Sequence, residues 1–586
     1  MHDLLIRGGT VVDGSGGAAH EADIAIDGDR ITTVGAIAAP AKEEIDARGL
    51  LVTPGFVDIH THYDGQALWD PILAPSSWHG ATTLVAGNCG VGFAPARPDR
   101  HDWLIGLMQG VEDIPGESLA AGLPWDWQSF PEYLDALARR PHLVDIGAYV
   151  AHGPIRAYVM GERGARNERA TADDVATMAR LVREAVEAGA LGFSTSRTAG
   201  HRAVDGEPVP GTFAAEDELF AIGRALAAAG RGVFEVAQAG TGGRTSGDAP
   251  DASAGEVEWM RRLAAETQRP VSFLLFANDP TATPWRKLLD VAAAAVDAGT
   301  PLVAQVANRP FGMLVGHQTR ANPFAERPTY QAIARLPLPE RVARLRDGDV
   351  RARILAERPP GPARPGTLGA LFDTAMMRQL FPLGDPPDYE PPPESSVAAI
   401  ARRAGRDADE VLYDLMLGDD GRELLLFALL NYDDGNLDAV YEMLRHPRTV
   451  LGLGDGGAHC GIVCDATMTT YTLTHWVRDR SRGPRLPLEF AVRRLTADNA
   501  AFLGLTDRGL LRPGLKADVN VIDFDRLRLR RPEMAFDLPA GGRRLLQRAD
   551  GYVATIVSGQ VALRDGTPTA ARPGRVVRST REAMRR

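Results

Sequence analysis

Eight apolar runs, most of them followed by an alanine- and leucine-rich stretch of helical period, constrain this chain more than any other feature. They read "LVTPGFVDIHTH", "ATTLVAGNCG", "VDIGAYVAHG", "GALGFSTSR", "GVFEVAQAG", "PVSFLLFAND", "PLVAQVANRP" and "TVLGLGDGGAH". Near-continuous Val, Leu, Ile and Ala suit parallel strands covered on both faces, while segments such as "ADDVATMARLVREAVEAG" carry apolar residues at helix spacing. The pattern predicts an α/β fold, a closed (β/α)8 TIM-like barrel. An open doubly wound sheet calls for a glycine-rich phosphate turn after the first strand, and the chain has histidines there instead.

The two ends of the chain have a different grammar. "DLLIRGGTVVDG", "ADIAIDGDRITTVG" and "EEIDARGLLVTPG" at the start, and "KADVNVIDFDRLRL" and "GYVATIVSGQVALRDG" after residue 515, alternate β-branched with polar residues between Asp-Gly and Gly-Gly turns. Neither set buries a core alone, so one small β-sandwich built from both termini is expected. The reading divides the chain into residues 1–54 and 509–586 for the sandwich and 55–508 for the barrel. Roughly 140 residues separate the seventh and eighth runs, with proline-rich connectors among them. That length implies an inserted subdomain at about 311–440, placed over the barrel mouth, as an outward excursion or as an oligomer contact.

Charge and cysteine content exclude several classes. A formal charge of -11 and a pI near 5.7, without a basic block, argue against nucleic acid as a partner. Three cysteines, Cys89, Cys460 and Cys464, are too few for a disulfide framework and suit a reducing compartment. No secretion signal or uninterrupted apolar span stands out, so a cytoplasmic protein with no membrane partner is expected, a homo-oligomer being open.

His60 and His62 end the first run. On a strand, residues i and i+2 point to one side, so both imidazoles project together at the end where barrel enzymes place chemistry. Such a pair is half of a zinc site. "GTGGRTSG" lacks the lysine of a phosphate loop, and "GLGDGG" has aspartate where a nucleophile elbow needs serine. Metal-activated water is therefore favoured over a serine nucleophile.

"LLIRGGTVVDGSG", "VTPGFVDIHTHYDGQ", "GNCGVGFAP", "GLGDGGAH" and "LTADNAAFLGLTDRGLLRPGLKADVNVIDF" together resemble the amidohydrolase superfamily, and within it the N-acyl-D-amino-acid deacylase (D-aminoacylase) family. The resemblance implies a metal-dependent barrel flanked by a small β-sandwich. It implies His60, His62 and Asp455 as ligands from the first and last strands, and Cys89 as a sulfur ligand. It further implies one or two divalent ions, zinc or another transition metal, with Asp455 as general base. Family members also supply histidines from the fifth and sixth strands, where this chain has Glu235, Gln238 and Asn278; Glu235 is either an oxygen ligand or part of an internal ion pair.

Other candidates surround this set. His152 ends the third run, placed either to bond a scissile carbonyl or as a satisfied structural histidine. His459 follows Asp455 by four residues and can orient it or touch substrate. Arg197 offers a guanidinium for a substrate carboxylate, against an ordinary ion pair. His201 is expected at the surface, with a place lining the mouth as the alternative, and Cys460 and Cys464 as structural. The leading expectation is deacylation of N-acyl-D-amino acids or a related small amide. Cyclic amide opening, deamination and a non-catalytic scaffold are the alternatives.

Overall fold

The computed structural model describes residues 1–240, 248–249, 252–277, 285–357, 376–463 and 465–579. Eight parallel strands follow one another in chain order: β1 (Phe56–Asp58), β2 (Ala81–Ala86), β3 (Asp145–Ala151), β4 (Gly192–Ser196), β5 (Val233–Ala237), β6 (Val271–Leu275), β7 (Leu302–Val306) and β8 (Thr449–Leu451). Each falls within one of the eight apolar runs. All residues of β2 through β6 are buried, as strands covered on both faces require.

The intervening helices are specified locally. In Ala172–Ala188, Met178, Val182, Ala185 and Val186 form the buried stripe, and Thr171 and Asp174 make a reciprocal capping box at its start. Ser129 and Glu132 do the same for Phe130–Ala138. The first and last strands meet just beyond their ends. Thr61 bridges Gly456, the Asp455 amide donates to the His60 carbonyl at 3.0 Å, and the His62 amide donates to the Gly456 carbonyl at 2.7 Å. The seam that closes the barrel therefore also carries His60, His62 and Asp455.

Strands from both termini form one nine-stranded sheet, with Leu51–Pro54 paired antiparallel to Val519–Ile522. Leu4, Ile24 and Ile45 share a core with Val519, Val521 and Ile556. Beneath the barrel, Asp145 at the start of β3 meets Arg508 at 2.6 Å and Lys516 at 3.0 Å, a buried cluster that joins the two parts.

Between β7 and β8 lies a three-stranded antiparallel sheet of Phe311–Val315, Leu425–Leu430 and Leu380–Pro382, with helices that include Pro328–Ile333 and Ala408–Met416. Met313, Phe324, Tyr413 and Phe427 belong to a core of its own. Leu314 and Leu426, on the other face, join the barrel core.

Candidate metal centre

Four side chains converge at the C-terminal mouth of the barrel. One donor atom from each of His60, His62 and Cys89 lies within 4.8 Å of the others, and all three residues are buried. His60 Nε2 is 3.4 Å from Cys89 Sγ and 3.4 Å from Asp455 Oδ1, while His62 Nε2 is 3.6 Å from the same oxygen. Bonds of about 2.0–2.3 Å around a tetrahedral zinc space its donors by about 3.3–3.8 Å, so these separations match the edges of such a site. Asp455 Oδ1 is buried without a hydrogen-bond partner among the described residues. A cation held by the four donors would satisfy it.

The backbone holds this set under strain. Cys89, Asp455 and His459 adopt φ of 55°, 42° and 52°, a region costly for side chains with a Cβ. Asn88 fixes the turn before the cysteine by donating to the carbonyls of Thr61 at 3.1 Å and Val85 at 2.9 Å. Gly90 gives its amide to Ser194 Oγ at 3.0 Å. On His60 the ring is oriented by Gln305, whose Oε1 is 3.1 Å from Nδ1, which leaves Nε2 facing Cys89 and Asp455. Gln305 is itself held by its side-chain Nε2, which donates a hydrogen bond to Ser272 Oγ at 3.0 Å.

The electrostatics of the donor set also suit a cation. Burial pushes the Cys89 thiol well above its ordinary value, helped by Glu235, Glu112 and Asp455, so a thiolate there needs a positive charge beside it. Burial lowers His60 to about 4. For His62 the burial penalty is outweighed by Glu112 and Asp455, which lift it to about 9. Burial also works against ionised Asp455, but the nearby imidazoles of His62 and His60 hold it well below the usual carboxylate range. Two more buried carboxyls stand close by: Asp64, raised to about 7, and Glu235, raised to about 8, each mainly by burial.

The other residues singled out in the sequence divide. His459 joins the site, with Nε2 3.9 Å from Asp455 Oδ2 and its ring edge-on to Phe311 of the insertion at 6.0 Å. Glu235 reaches it through the backbone: Oε2 accepts the Cys89 amide at 3.1 Å, and Oε1 has no partner among the described residues. Gln238 is bonded to the Leu274 backbone. Asn278, Cys464 and most of "GTGGRTSG" lie outside the described residues.

Three further side chains have their protein partners defined. His152 has protein partners on both ring nitrogens, Nδ1 at 2.8 Å from Thr195 Oγ1 and Nε2 at 2.7 Å from Glu218 Oε1, the pattern of the satisfied structural histidine. Arg197 is engaged in an ion pair within the protein. Its Nε and Nη2 grip Glu256 at 3.1 Å each, and Nη1 donates to the carbonyls of Gly211 and Ala214 at 3.3 and 2.8 Å. His201 is half-buried rather than on the surface, with Nδ1 3.0 Å from Ser196 Oγ at the end of β4, and it feels the charges of His459, His62 and Asp455.

Glu112, which ends the helix His101–Glu112, was missed. Its carboxylate is 3.4 Å from His62 Nδ1 and 3.7 Å from His459 Nε2. A signal was present: Leu104, Met108 and Glu112 recur every four residues on one buried helix face, where a charge is out of place.

Fold and site together define a β/α barrel with buried histidine, cysteine and aspartate side chains at its mouth, donor atoms that could hold a metal ion. The model of the amidohydrolase family matches residues 43–563, and the chain belongs to that family. It is similar to a D-aminoacylase of Alcaligenes xylosoxydans xylosoxydans, 37% identical over 194 residues. That match covers 33% of this chain and spans 37% of the length of that relative. An uncharacterized Mycobacterium tuberculosis protein is 29% identical over 612 residues, covering 96% of this chain and 92% of that one. Among solved structures, an N-acyl-D-glutamate deacylase from Bordetella bronchiseptica, complexed with zinc and a phosphonate inhibitor, superposes with a TM-score of 0.63 at 23% identity, over 99% of this chain and all of that one. That likeness concerns the fold. Among the described residues, no helix is long and apolar enough to cross a membrane.

Proposed function

We propose that the protein is a metal-dependent amide hydrolase acting on N-acyl-D-amino acids or a related small amide. The observation that carries this is the convergence of His60, His62 and Cys89 donor atoms within 4.8 Å, with Asp455 on the same side of the barrel mouth. The D-aminoacylase resemblance supports the choice of an N-acyl-D-amino acid. His60, His62, Cys89 and Asp455 hold the ion, and nitrogen with sulfur donors suits zinc. When bound, a divalent ion supplies Lewis acidity toward an amide carbonyl and makes water acidic near neutral pH.

The remaining work falls to the chain. Asp455 is the general base: its Oδ1 points toward the donor set and its Oδ2 toward His459, so the carboxylate can take a proton from water on the substrate side. His459 receives the polar end of the substrate or relays to the leaving amine the proton that Asp455 has taken from water, which returns both groups to their starting state. Phe311 walls that side with an apolar ring. A screen of N-acyl-D- and N-acyl-L-amino acids with the zinc-loaded protein tests this reading. Amine release from at least one D-isomer, abolished in Asp455→Ala, is expected; ammonia release from a ring substrate without deacylation overturns it.

A further inference from the structure

Glu112 has every reason not to be where it is. It is 2% exposed, it occupies the apolar face of its helix, and it sits at the C-terminal end, where the helix dipole disfavours a negative charge. Its position is nonetheless pinned. The next residue, Asp113, takes the left-handed conformation at φ 53°, accepts the Gly461 amide at 3.0 Å and pairs with Arg320 of the insertion. The Glu112 carbonyl also accepts the His459 amide. Three contacts thus tie this helix end to the loop that follows β8 and to the insertion.

What the carboxylate faces explains the cost. His62 directs Nε2 toward Asp455 Oδ1 and Nδ1 toward Glu112 Oε1, and Nδ1 is buried with no hydrogen-bond partner among the described residues. Closing the 3.4 Å separation by about half an ångström makes a hydrogen bond. His60 has the same need met by the neutral amide of Gln305. Metal-ligating imidazoles are ordinarily fixed by a carboxylate, carbonyl or water on the second ring nitrogen.

We propose that Glu112 is a positioning residue of the metal centre. It accepts the Nδ1 proton of His62 through Oε1, fixes the tautomer that leaves Nε2 free for the ion, and steadies His459 through Oε2. The inference rests on the metal centre proposed above, and it concerns a residue outside the donor set.

Zinc affinity measured by chelator competition on the full-length protein tests it, with the unfolding midpoint of the zinc-free protein measured alongside. Glu112→Gln is expected to bind the same number of zinc equivalents as wild type with a dissociation constant about 10–100-fold higher. Glu112→Asp, which keeps the charge, is expected to recover part of that loss, and the zinc-free Gln variant to unfold no earlier than wild type. Zinc binding within twofold of wild type overturns the proposal. So does loss of a whole equivalent, which makes Glu112 a ligand, or a fall in the zinc-free midpoint that accounts for the loss. Wild-type protein that takes up no zinc overturns the metal centre itself, a result distinct from an unaffected Glu112 variant.

Discussion

Replacing Arg197 with methionine separates a structural strut from a substrate clamp. The guanidinium makes two parallel bonds of 3.1 Å to Glu256 and two more to the carbonyls of Gly211 and Ala214, with its side chain 15% exposed and that of Glu256 11% exposed. Breaking a buried pair from one side costs about 3–5 kcal/mol, because the surviving charge loses its partner. Glu256 keeps one donor, Trp259 Nε1 at 2.9 Å, and some solvent contact, which places the expected loss nearer 2–3 kcal/mol. Urea unfolding of the full-length variant reads this directly. In the double variant Arg197→Met/Glu256→Leu both charges are gone, and at least half of the loss is expected to return. KM for the best substrate of either variant is expected to stay within about threefold of wild type. A stability unchanged from wild type together with a KM raised tenfold or more refutes the strut and restores the clamp.

Two further outcomes follow from the same reasoning. Burial acts to raise the carboxyl of Glu390, but His475 at 2.8 Å, Arg480 and the Leu437 amide override it and lower it to about 2. A depressed folded value means the stabilisation is fully present above the ordinary value of about 4.5 and is lost as the pH falls toward about 2. It amounts to at most about 3 kcal/mol. Zinc-free Glu390→Gln is therefore expected to lose stability less steeply than wild type in acid unfolding between those limits, and parallel curves contradict this. At Gly90, φ is +70° and an added Cβ falls 2.7 Å from the Ser196 amide nitrogen and 3.0 Å from Thr195 Cα, backbone atoms that have no room to yield. Gly90→Ala is expected to move the adjacent Cys89, weaken zinc binding at least tenfold and cost on the order of 2 kcal/mol or more. Wild-type affinity in that variant shows that the turn tolerates the change.

The barrel was legible because strands buried on both faces leave unbroken apolar runs, and each of the eight strands lies inside one. His60 and His62 were legible for a related reason, since a period of two puts both on one face at a strand end. Partner choice left no such mark. Arg197 meets Glu256, 59 residues away, and His152 meets Glu218, 66 residues away; both are ordinary residues in their local stretches. Residue type and place after a strand suggested substrate contact, while the partners that packing gives them lie far away along the chain. Glu112 lies between the two cases, because its helix period marked it as buried but gave no hint of which histidines it meets. The single nine-stranded sheet was legible as two sets of hairpins, while the pairing of Leu51–Pro54 with Val519–Ile522 spans most of the chain and has no local signature.

Zinc content after saturation and gel filtration tests the convergence of His60, His62, Cys89 and Asp455 most directly. At least one tightly held equivalent is expected in the wild-type protein, and His60→Ala, His62→Ala, Cys89→Ala and Asp455→Ala are each expected to weaken it by tenfold or more while the fold is retained. A wild-type protein that emerges free of zinc, cobalt and manganese contradicts the site, as do four variants that hold the metal as tightly as wild type.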